Sequence, residues 1–183
     1  MRTWRLAGFR GEAVHAICGL CLAFLLLRAS LSMAAEDAVP PALQVALFTK
    51  ILPYNKSLPP SFRILIVYTS EFAASAEEVR KGFDKVAQPA DLCPIDQVAR
   101  RWNKASVVYI MASAVPPVLQ ALCIREHLFS VSPSAILAER GEVSVAVGLK
   151  QDRKAEIIVH LNRSKMEGQE LLMPLLSLAR VIR

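Results

Sequence analysis

The chain has 183 residues, 54% of them hydrophobic, and 22 Lys and Arg against 16 Asp and Glu give it a formal net charge of +6. Four of the arginines and one glutamate lie in residues 1–35, so the rest carries 18 basic and 15 acidic side chains, a net of +3. An excess that small, with no basic stripe interleaved with aromatics, argues against nucleic-acid binding, and Arg100-Arg101 and Arg153-Lys154 read as solvated surface.

Arg2, Arg5 and Arg10 precede an apolar run over residues 16–27, and small residues follow at Ala29, Ser30, Ser32, Ala34 and Ala35. This is the layout of a secretory signal peptide. It predicts a leader over 1–35, cleaved after Ala34 or Ala35, and a periplasmic domain over 36–183. The run falls short of the roughly 20 residues that a membrane-spanning helix needs; the alternative is an uncleaved anchor lengthened through Arg28. Neither Cys18 nor Cys21 follows a small residue, so no lipid attachment is expected.

Residues 43–52 have helical spacing and stop at Pro53, and FRILIVY over 62–68 is the continuous apolar run of a strand covered on both faces. Residues 75–86 read as a helix with Ser75 at its N-cap and Glu77-Glu78 in its first turn, where the helix dipole favours acids. A short strand over 91–95, a helix from Asp96 to Trp102 and a second buried strand over 106–111 follow. Pro116-Pro117 opens a helix that ends near His127, and 129–132 form another strand stopped by Pro133. Residues 142–149 and 155–161 alternate in apolarity around the polar link Lys150-Gln151-Asp152-Arg153, the pattern of an antiparallel hairpin. After a polar surface turn or irregular helical turn over 162–168, Pro174 suits the first turn of a short buried helix running to residue 182, its leucines serving as core. Alternating strands and helices without repeats or linkers predict an α/β single domain: a three-layer sandwich with a largely parallel sheet, the C-terminal hairpin and the short terminal helix.

No phosphate-cradling glycine loop, dinucleotide fingerprint, nucleophile elbow or H-E-x-x-H motif is present, so no catalytic residue and no cofactor is assigned and a non-enzyme is expected. His127 and His160 lack zinc-ligand spacing to Cys123 or to a carboxylate, and no metal site is assigned. Cys93 and Cys123 are the two thiols outside the leader; they are a candidate disulfide in an oxidising compartment, the alternative being two buried free cysteines. In a parallel sheet, ligands bind at the carboxyl ends of strands. That rule marks Thr69-Ser70-Glu71, Ser113 and Ser132-Pro133-Ser134, with helix or turn capping as the competing role of Ser70 and Ser134.

GLKQDRKAEIIVHLNRSKMEGQELLMPLLSLARVI resembles the closing signature of the YfiR family of small periplasmic bacterial proteins, with Leu161, Gly168, Leu175, Leu176, Leu178, Ala179 and Val181 in register. LQVALFTKILPYNKSL is similar to the family's opening helix and the turn after it, so the resemblance spans roughly residues 41–182. His160 stands where the family usually has Asn, and Leu172-Met173 stand where it has two serines. The resemblance implies a non-enzymatic regulator that represses a membrane-bound diguanylate cyclase by binding its periplasmic part, with a homodimer as candidate assembly. Tyr54, Asn55 and Lys56, in the turn after the first helix, are candidate partner contacts; their competing role is that of an ordinary loop. The other function to weigh is a periplasmic small-molecule-binding or sensor domain unrelated to cyclic-di-GMP.

Overall fold

A computed structural model describes residues 39–102, 105–150 and 152–183; the predicted leader lies outside the described residues. The strands are β1 Ile64–Tyr68, β2 Ala90–Pro94, β3 Val107–Met111, β4 Phe129–Ser132, β5 Val145–Leu149, β6 Ala155–His160 and β7 Arg180–Ile182. The helices are α1 Pro41–Ile51, α2 Ala73–Lys85, α3 Val98–Arg101, α4 Pro117–Arg125, α5 Ala135–Glu139, α6 Leu161–Met166 and α7 Met173–Leu178. All seven strands join one sheet in the order β2-β1-β3-β4-β5-β6-β7. Every neighbouring pair is parallel except the β5–β6 hairpin, in which Val147 faces Ile157. The α/β class and the mostly parallel sheet are those predicted.

Alternation along each central strand feeds two cores. Ile64, Ile66, Val107, Tyr109, Phe129, Val131 and Val145 pack beneath Val45 and Phe48 of α1 and Ala76, Val79 and Phe83 of α2. Leu65, Val67, Val108, Ile110 and Ala146 point the other way, against Leu119 and Leu122 of α4 and Leu137 of α5. Neither face of β1 or β3 meets water, which is why both read as unbroken apolar runs. At about 1.5–3 kcal/mol per fully buried large side chain, these two layers supply the main drive to fold. In the first layer the Tyr109 hydroxyl donates to Gln44 Oε1 at 2.7 Å, and Phe48 and Phe83 meet its ring edge-on at 5.0 and 5.9 Å. Burial pushes the Tyr109 phenol well above its ordinary range, so it stays a neutral donor. Gly82 lets α2 approach α1 closely, since a Cβ there would come within 2.7 Å of Val45 Cγ2.

The terminal segment departs from its predicted form. The helix stops at Leu178, Ala179 turns extended, and Arg180–Ile182 pairs with β6 as a seventh strand instead of continuing a helix to residue 182. β6 offers an open row of backbone donors and acceptors, and β-branched Val181 and Ile182 suit that edge better than another helical turn. A six-residue helix has only one side against the sheet, so Leu175 is buried while Leu178 is 74% exposed and Met173 is 71% exposed. The expectation that these leucines are all core holds for Leu175 and fails for Leu178.

Candidate functional site

The densest polar cluster lies inside the molecule, at the amino ends of β4 and β5. Glu167 is 0% exposed, and its carboxylate accepts from Ser130 N–H (3.0 Å), Ser130 Oγ (2.6 Å), Ser144 Oγ (2.5 Å) and Arg163 Nε (2.7 Å). Arg163, itself 4% exposed, sends Nη2 to the Gln120 carbonyl of α4 at 3.0 Å. Ser144 N–H donates to Ser130 Oγ at 2.8 Å. The cluster ties α4, β4, the start of β5 and α6 together, and among the described residues no buried side-chain polar atom lacks a partner. A carboxylate shut from solvent and saturated by four donors has no face for a substrate; its chemistry is that of a structural lock. Sequence reasoning missed it, although Arg163 and Glu167 stand four apart, the spacing of helical neighbours.

Cys123 packs beside this lock. Burial, reinforced by the charge of Glu167 and opposed by Arg163, pushes its thiol up to about 12. Cys93, on β2, gives its thiol to the Pro94 carbonyl at 3.4 Å. Both cysteines are free, so the candidate Cys93–Cys123 disulfide is corrected to the alternative of two buried thiols. Strand order explains why: Cys93 sits on the β2 edge while Cys123 neighbours residues bound to β4, three strand spacings away.

The turn after α1 is stapled to the segment leading into α7. Asn55 is buried, and its Nδ2 donates to Gln169 Oε1 at 2.8 Å. Lys56 pairs with Glu170 at 2.8 Å, Leu172 N–H donates to the Tyr54 carbonyl, and Ser57 Oγ bonds Gly168 and Glu170 backbone groups. Tyr54 and Lys56 are thus exposed while Asn55 holds the staple. Gly168 has φ +73, where a side chain is strained, and a Cβ there would come within 2.7 Å of His127 Nδ1. Leu161, Leu171, Leu176 and Ala179 pack partly buried on the first core.

His160 closes β6 and caps α6: its Nδ1 accepts from Arg163 N–H at 3.2 Å. The position calls for a side-chain acceptor, and the imidazole supplies it. By contrast Leu172, at the start of α7, makes no cap bond.

At the carboxyl ends, the strand order reverses between β1 and β3, and the residues flanking that crevice come together. Glu71 Oε1 accepts from Thr69 Oγ1 at 3.1 Å and from Ser113 Oγ at 3.0 Å, and all three lie at or near the surface. Ser70 begins a short helical turn; Ser132 is buried, with its Oγ donating to the Ile110 carbonyl; Ser134 stands at the N-cap of α5 without a cap bond. Of the marked loops, then, the structure unites Thr69, Glu71 and Ser113 and sets Ser132 apart as a packing residue. Among the described residues no group of three His, Cys, Asp or Glu could hold a metal ion, and no helix is long and apolar enough to cross a membrane.

A groove of about 460 Å³ opens between α1, the hairpin turn and the β7 edge; Leu47, Ile157, Leu178 and Ala179 give it apolar wall, and Lys150, Glu156 and Arg180 line it with charge. Leu43, one turn before Leu47 on α1, and Val181 of β7 are also exposed. Arg180 spans Glu156 at 3.1 Å and Glu139 at 2.5 Å. A smaller hollow of about 330 Å³ at the amino ends of β1 and β2 contains the exposed Arg63–Asp91 pair, 2.7 Å apart.

No protein-family profile and no curated protein matches this chain. Solved structures do share its fold. A conserved domain protein from Vibrio cholerae O1 biovar El Tor matches with a TM-score of 0.56 at 13% identity, over 80% of this chain and 61% of the other. The ABC domain from Streptococcus pneumoniae, solved in complex with L-Trp, matches with a TM-score of 0.58 at 12% identity, over 79% of this chain and 60% of the other. The chain therefore spans about three-fifths of the length of each, and at such identities the likeness is one of fold.

Proposed function

We propose that this protein is a non-enzymatic regulator of the bacterial envelope that acts by docking onto a membrane protein, with a diguanylate cyclase as the partner implied by its YfiR-like closing segment. The observation that carries the reading is the closing segment itself: on a domain whose polar interior is fully paired, it leaves Met173, Leu178 and Val181 in solvent. Large apolar side chains placed outside a well-packed domain are what a partner surface requires. Tyr54 and Lys56 lie in the turn stapled beside that segment and extend the candidate contact. The test is co-purification of the protein from the envelope together with measurement of cellular cyclic-di-GMP after deletion. Recovery of a cyclase and a rise in cyclic-di-GMP are expected; neither would occur if the protein did not repress such an enzyme.

A second reading rests on the crevice at the carboxyl ends of β1 and β3. Thr69, Glu71 and Ser113 present a carboxylate flanked by hydroxyls where ligands of parallel sheets bind, a set suited to an ammonium group. The L-Trp complex of the similar streptococcal domain supports trying amino acids first. Calorimetric titration with L-amino acids, repeated on Glu71→Ala, decides it: heat that disappears in the variant supports a sensor, and no heat from the unaltered protein removes it.

A further inference from the structure

We propose, resting on the docking reading above, that the groove between α1 and α7 seats an amphipathic helix of the partner, with one apolar face and acidic flanks. The helix layer over the first core is incomplete. α1 and α2 cover the central strands, and beyond them the described residues of this layer add the six-residue α7, leaving Ile157 half-buried and Val181 exposed. One more helix beside α1 would finish that layer. α1 has 11 residues, about 16 Å at 1.5 Å per residue, and it gives the groove Leu47, with the exposed Leu43 one turn before it, a spacing that a helix presenting anchors at i, i+3, i+4 and i+7 can meet.

Charge chooses the flanks. Lys150 lines the groove, Arg180 stands on its far bank, and Lys50 lies one turn beyond Leu47 on α1. The nearby acids are already engaged, Glu139 and Glu156 by Arg180 and Asp152 by Lys154 at 2.8 Å, with the charge of Lys150 also acting on Asp152, and among the described residues neither Lys50 nor Lys150 forms a salt bridge. Glu and Asp on the incoming helix would complete those two ammonium groups. The same charges disfavour a second copy of this chain, because a two-fold contact across the groove would set its cations against their own images.

The proposal is tested on protein recovered from the envelope of cells expressing the full chain. Labelled peptides of about 14 residues are titrated by fluorescence anisotropy: an amphipathic helix with Leu anchors and Glu flanks, the same peptide with Lys flanks, and a scramble of the first. The Glu peptide is expected to bind best and to weaken as salt rises; Leu178→Ser, a change at an exposed position, lowers its affinity roughly tenfold or more. Lys50→Glu combined with Lys150→Glu turns the preference toward the Lys peptide. Equal binding of the scramble, or indifference to Leu178→Ser, overturns the proposal, as does retention on phosphatidylglycerol vesicles with the same residue dependence but without peptide binding. If the Glu peptide binds while deletion leaves cyclic-di-GMP unchanged, the groove stands and cyclase regulation falls. If cyclic-di-GMP responds and no peptide binds, the groove falls and docking elsewhere remains.

Discussion

Two neighbouring regions of the C-terminal quarter reverse the usual placement of charge and grease. At the amino ends of β4 and β5, a glutamate and an arginine are buried and bonded on every side; in α7, a few residues later, leucine and methionine stand in water. The difference is one of completeness. Charges inside are tolerated because Ser130, Ser144 and Gln120 supply every missing partner, while the apolar side chains outside have no partner within the domain. Loss of one partner is therefore costly in the lock and cheap in the groove, and substitutions should separate the two.

The largest effect is expected from Glu167→Ala, which leaves Arg163 charged and buried without its acceptor. A loss of about 3–5 kcal/mol, read by urea unfolding, is the expectation for breaking such a pair; a loss below about 1 kcal/mol would mean the cluster is solvated and the contrast with the groove is false. Alkaline pH probes the same place. The Cys123 thiol has a folded value of about 12 against an ordinary 9.0, so its burial contributes stability that is fully present below pH 9 and is lost as pH rises toward 12. Urea midpoints should fall across that window, with Tyr109 contributing in the same direction, and Cys123→Ala should flatten part of the slope. A smaller effect belongs to the cap. His160→Ala should cost about 1 kcal/mol, and His160→Asn, which restores a short side-chain acceptor, should recover most of it. Smallest of all, Leu178→Ser should change stability by less than about 0.5 kcal/mol while weakening peptide binding roughly tenfold or more, because that side chain touches little of its own domain.

The central sheet was legible because burial on both faces writes itself into sequence: FRILIVY and the Val107–Met111 run leave no polar face. The hairpin was legible by its period of two. What escaped depends on neighbours distant in sequence. Arg163 and Glu167 look like a surface helix pair until Ser130 and Ser144 arrive from the sheet to enclose them. Residues 180–182 read as helix because only the open edge of β6 makes them a strand. The 30-position spacing of Cys93 and Cys123 carried no hint that β1 and β3 would be inserted between their neighbourhoods. Of the marked loop residues, Thr69, Glu71 and Ser113 did meet, since a fold-level rule about strand ends needs only strand order.

The staple between residues 54–57 and 168–172 also has a temporal side. The bridge of Asn55 to Leu171 and the Asn55–Gln169 bond join positions more than a hundred residues apart, so the first connection of the domain closes only after residues 168–172 have been synthesised. Closing so long a loop late is entropically costly and slow. A chain lacking residues 168–183 should therefore hold α1 and its turn more loosely, a difference that hydrogen exchange on α1 would register.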